Sequence, residues 1–142
     1  MKTTIAMMLA LAGAGTVWAQ DAPGPIQDNS FLIEEAYNQE AGVIQHISLF
    51  TRARGSGDWG YAFTQEWPLG GQRHQLSYTL LLERASGATG LGDAFLNYRY
   101  QLIGDGQQRV AAAPRVSILV PSGDETRGLG TGGWGVDVGF PL

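Results

Sequence analysis

Between Trp59 and Trp67 the chain reads WGYAFTQEW, with Trp, Tyr, Phe, Gln and Trp on every second position and Gly, Ala, Thr and Glu between them. Successive side chains of a β-strand point to opposite faces, so this period of two specifies a strand whose faces meet different surroundings. A helix would scatter the same aromatics around its circumference. Two architectures accommodate such a strand. In a soluble sandwich the large residues meet a second sheet; in an outer-membrane barrel they meet lipid while the small and polar set faces a lumen.

Five further segments alternate in the same way: 43–52, 75–83, 93–102, 115–120 and 134–140. On one side they gather Leu76, Tyr78, Leu80 and Leu82, then Leu96, Tyr98 and Tyr100, then Val116, Ile118, Val136 and Val138. On the other side stand Glu66, Glu83, Asp93, Arg99, Arg115 and Asp137, with Thr64 and Asn97 among them. Charges in mid-strand opposite a continuous apolar face need water or mutual pairing. That makes these eight residues the candidates for a lumen wall. Phe95 breaks the alternation of its segment, and Pro114 places the start of the next strand at Arg115, since proline removes a ladder donor.

Trp59, Trp67, Tyr100, Trp134 and Phe140 fall near the ends of these segments. Rings with one apolar edge and one wet edge collect at membrane interfaces, so these residues, with Tyr61, Phe63, Tyr78 and Tyr98, are the candidates for a lipid-facing surface and its aromatic girdle. Glycine-rich stretches separate the strands and read as turns. The links after the first, third and fifth segments are somewhat longer than those after the second and fourth, as outer loops are longer than periplasmic turns.

The first 19 residues, MKTTIAMMLALAGAGTVWA, carry Lys2, an apolar run and a small-residue end, the pattern of a cleaved secretory signal peptide. Residues 20–42 form a periplasmic lead-in and 43–142 the barrel strands. Within the lead-in, FLIEEAYNQE is compatible with a helical turn or a short strand. No later run approaches the roughly 20 apolar residues of a spanning helix, so a membrane-crossing chain of this sequence must cross with strands. Thirteen acidic residues against nine basic ones exclude the basic footprint of a nucleic-acid binder. The absence of cysteine removes disulfides, thiolate chemistry and cysteine metal sites.

The pieces FLIEEAYNQE, VIQHISLF, WGYAFTQEWP, QRHQLSYTL, GLGDAFLNYRYQL and APRVSILVPSGDETRGLGTG, in this order, resemble an outer-membrane transporter family named for the MetA pathway of phenol degradation. The most specific pieces are GLGD followed by a strand ending Tyr98-Arg99-Tyr100, and Pro121 to Gly132. The resemblance implies an all-β, antiparallel, up-and-down barrel in the outer membrane of a Gram-negative bacterium. It further implies passage of small, aromatic or hydrophobic compounds. Barrel-assembly machinery, lipid and a small solute are the partners this implies, and no cofactor is indicated. Members of that family are about twice as long, and about six strands fall below the usual minimum of eight, so the chain is expected to be an N-terminal part of a barrel.

Other readings carry less. A soluble exported β-sandwich acting as a binding module would bury the leucine-rich face against protein. His46 and Ser48, two apart on one strand face, are the pair an outer-membrane acyl hydrolase uses, but the Asn-Gly-Arg context is missing and the pairing is common by chance. GLGTGG at 128–133 lacks the Lys-Ser/Thr ending of a phosphate loop, Asp124 and Glu125 lack the spacing of a calcium loop, and His46 and His74 alone make no metal site.

Overall fold

The computed structural model describes residues 36–104 and 110–142, which form one seven-stranded antiparallel sheet. The expectations for the signal peptide, for most of the lead-in and for the tip of the link after Gly104 lie outside the described residues. The strands are β1 (Gln45–Arg52), β2 (Trp59–Pro68), β3 (His74–Ala85), β4 (Ala88–Leu91), β5 (Ala94–Tyr100), β6 (Arg115–Val120) and β7 (Gly135–Gly139). They run in the order β1-β2-β3-β5-β6-β7, with β4 also paired to β3. The sheet is open, and β1 and β7 are its outer strands.

Each expected segment contains a strand, with ends shifted by up to about two residues. β4 is the addition. The stretch RASGATGLG, read from sequence as a loop, is a tight hairpin in which Ala85 pairs with Ala88 and only Ser86 and Gly87 turn the chain. Both turn residues have positive φ, 50° and 87°, the twist that two-residue hairpins require.

From β4 the chain continues into β5 through a bulge. Leu82 faces Leu91 and Thr79 faces Phe95, so Leu80 and Leu81 of β3 oppose Gly92, Asp93 and Ala94. One extra residue shifts the register, and the Gly92 amide donates to the Leu81 carbonyl at 2.9 Å. Pro114 sits just before β6 as expected, its carbonyl accepting from the Tyr100 amide.

The two faces of the sheet are inverted relative to a water-soluble protein. Gln75, Ser77, Asp93, Arg99 and Ser117 are buried, whereas Leu80, Leu96, Ile118, Val136 and Val138 are 46%, 54%, 42%, 73% and 70% exposed. Soluble folds bury the second set and expose the first. Among the described residues no second layer covers the apolar face; the only sheet is this one.

Both ends of the polar face are covered. Ala36 and Asn38, part of the stretch expected to be a lead-in, are buried against the end near the β2–β3 turn. At the opposite end the loop 121–134 folds over β4. Leu129, 1% exposed, lies where a Cβ on Gly90 would come within 2.9 Å of it.

Candidate functional site

The polar face carries a cavity of about 380 Å³ whose wall is built from cross-strand rows. Glu66, Ser77, Asn97, Ser117 and Asp137 are successive partners on β2, β3, β5, β6 and β7, and all line it. The next row toward the β2–β3 turn contributes Gln75, Arg99 and Arg115. The row on the other side contributes Ile47, Thr64, Thr79 and Phe95. Antiparallel pairing with a side-chain period of two puts these residues on one face, so the site follows from register alone.

Neighbouring rows satisfy one another. Thr64 and Thr79 share a hydroxyl hydrogen bond at 2.8 Å, and Asn97 Nδ2 donates to Ser77 Oγ at 3.1 Å. Arg99 and Arg115 face each other directly across β5 and β6, an arrangement that repels unless acids stand near. Asp137 supplies one, accepting from Arg115 Nη2 at 3.2 Å. Ser117, 4% exposed, has an Oγ with no hydrogen-bond partner among the described residues, which leaves a polar atom in the wall for whatever fills the cavity.

Six of the eight expected wall residues line the cavity: Thr64, Glu66, Asn97, Arg99, Arg115 and Asp137. Glu83 and Asp93 do not. Glu83 lies beyond the bulge, opposite Gly60 and Gly90 and against Gly92. Asp93 sits in the bulge at 4% exposure, where its carboxylate accepts from the amides of Gly123 (3.0 Å) and Thr131 (2.8 Å) and from the Thr131 hydroxyl (2.8 Å). Its role is to fasten the loop 121–134 to the sheet.

That fastening explains the two most specific motifs of the sequence together. A Cβ on Gly130 would stand 2.6 Å from Asp93 Oδ1, and one on Gly123 would run into the Leu129 carbonyl. Ser122 Oγ donates to the Gly92 carbonyl and Arg127 Nη2 to the Thr89 carbonyl. GLGD and PSGDETRGLGTG therefore form a single interlocked unit. Asp124 caps the 3-10 turn Glu125–Arg127. The Thr126 hydroxyl, aided by the Arg127 and Thr126 amides, holds its carboxyl below the ordinary 3.8.

The wall also holds Gln75, Ser77, Thr79 and Ser117, which occupy the polar phase of their strands but carry no charge to mark them in the sequence. Phe95, the break in the alternation, points with Asn97 and Arg99 into the cavity.

The opposite face holds the aromatic set. Phe63 packs on Tyr78, Trp67 on Tyr78, and Phe50 on Trp59, with centroids 6.3, 6.0 and 6.1 Å apart. His74 begins β3, stacks on Tyr98, lies tilted against Tyr100, and shares a 2.6 Å hydrogen bond with the Tyr98 hydroxyl. Trp134 and Phe140 flank β7, 72% and 58% exposed. His46 and Ser48 are on this face too, each with an aromatic partner: His46 stacks on Phe63 and Ser48 Oγ bonds the Tyr61 hydroxyl at 3.0 Å. Among the described residues no three His, Asp or Glu side chains converge as metal ligands.

Comparison with protein-family models, with curated proteins and with solved structures finds no match to this chain.

Proposed function

We propose that this sheet is wall of an outer-membrane β-barrel, exported and inserted by barrel-assembly machinery, whose polar face conducts small solutes. The observation that carries the reading is the inverted burial: hydroxyl, amide and charged side chains around a cavity, and leucine, valine and aromatic side chains exposed on the other face. Lipid offers apolar side chains what water does not, and a wet lumen solvates the rest. Two arginines and two acids on one wall give a passing solute a transverse field and hydrogen-bond partners that replace lost hydration.

The wall favours polar solutes. Ile47 and Phe95 are its only large apolar lining residues, against ten polar ones. The aromatic or hydrophobic solutes that the family resemblance implies would find one ring, Phe95, to stack on. The soluble-sandwich alternative requires a covering layer for the leucine face, and the described residues supply none.

Cell fractionation followed by electrophoresis with and without boiling tests the location, since closed barrels shift on heating. Swelling of liposomes containing the purified protein, with arabinose as osmolyte, tests the conduit. A soluble periplasmic product with no heat shift would overturn the proposal.

A further inference from the structure

Near the β2–β3 turn, Ala36–Gln39 crosses the polar face and is gripped through its backbone by side chains of the wall. Gln101 holds it twice: its Oε1 accepts from the Asn38 amide and its Nε2 donates to the Ala36 carbonyl, both at 2.7 Å. Gln75 Oε1 accepts from the Gln39 amide at 2.6 Å, and Arg99 Nη1 donates to the Tyr37 carbonyl at 3.1 Å. Asn38 Nδ2 reaches back to the Arg73 carbonyl at 3.2 Å, and Gln72 Nε2 donates to the Asn38 carbonyl at 3.1 Å.

A chain merely entering a wet barrel needs none of this, because water satisfies its backbone. Buried backbone groups must be paired, and here Gln72, Gln75, Arg99 and Gln101 pair them. Glutamine carries a donor and an acceptor on one planar group, which lets Gln101 hold an amide and a carbonyl of the same short segment. Two of the four gripping residues, Gln75 and Arg99, also line the cavity, so the segment is anchored at its edge.

Resting on the conduit reading, we infer that Ala36–Gln39 is the constriction of the passage and sets the size of solute that crosses. The grip uses neutral amides and a guanidinium that stays charged at any ordinary pH. The grip itself therefore holds no group that titrates between acid and mildly basic solution.

The test is liposome swelling by the full chain with arabinose, sucrose and raffinose as probes. Wild type is compared with Gln75→Ala/Gln101→Ala, which removes three of the backbone grips. The loosened protein admits raffinose, excluded by wild type, and its sucrose rate rises by at least about tenfold, the effect of losing three hydrogen bonds of roughly ordinary strength. Gln39 and Gln45 touch through their side-chain amides. Adding Gln39→Cys and Gln45→Cys to the loosened protein and joining them with a short bis-methanethiosulfonate cross-linker, each thiolate displacing methanesulfinate, restores exclusion, and no native cysteine competes.

Heat-shifted mobility confirms folding of each form. Gln101→Asn, one methylene too short to reach both groups, gives an intermediate limit and serves where the double variant does not fold. Identical limits in wild type and loosened protein would overturn the constriction and leave the conduit standing. No swelling by any form, even with arabinose, would overturn both.

Discussion

Replacing Leu80 by arginine separates a lipid-facing sheet from a water-facing one. Leu80 pairs with Phe63, which is four residues from Trp59 and four from Trp67 on β2. At about 3.3 Å per residue this places it roughly 13 Å along the strand from either tryptophan, the middle of the apolar band. Its side chain is 46% exposed, so in water the substitution is a surface change with an effect within about 0.5 kcal/mol. At mid-bilayer the same arginine costs about 2 to 4 kcal/mol, a factor of roughly 30 to 900 in the folding equilibrium. Urea titration of the protein in lipid vesicles, followed by the heat-shifted band, reads this directly. A midpoint unchanged from wild type refutes the assignment of this face to lipid.

Three further outcomes follow from the site. Asp93→Ala removes three hydrogen bonds to a buried carboxylate and destabilises by about 3 kcal/mol, with new protease cleavage in the 121–134 loop; Gly130→Ala gives the same cleavage, because its methyl displaces Asp93. Arg115→Ala costs less than about 1 kcal/mol, since its partner Asp137 is largely exposed, yet it shifts the ratio of cation to anion permeation in reversal-potential measurements. The Asp124 cap depends on a carboxylate whose folded pKa is depressed, so its contribution is present above the ordinary value of 3.8 and is lost as pH falls through the lower folded value. The protection of the Arg127 amide, its exchange rate relative to an unfolded peptide at the same pH, accordingly drops only in that acid window.

Most of the wall was legible because a period of two with fixed register leaves no freedom: once β2 alternates, Thr64 and Glu66 share a face, and pairing carries that face through Ser77, Asn97, Ser117 and Asp137. Asp93 and Glu83 escaped because a bulge changes register locally. Its marker, Gly92, falls at the end of a glycine-rich stretch whose composition reads as a loop. The β3–β4 hairpin was hidden for the opposite reason: four-residue β4 is too short for alternation to show. The fold-back of Ala36–Gln39 depends on long-range pairing with Gln75, Arg99 and Gln101, which no local pattern encodes.

The central claim is that adjacent residues of β5 face lipid and water in turn, and single cysteines at Leu96 and Asn97 test it most directly. In outer-membrane vesicles, the Asn97→Cys protein should react rapidly with a small, charged, membrane-impermeant thiol reagent, and the Leu96→Cys protein should not react until detergent or denaturant is added. Rapid labelling of Leu96→Cys in the untreated membrane, with Asn97→Cys protected, would contradict it.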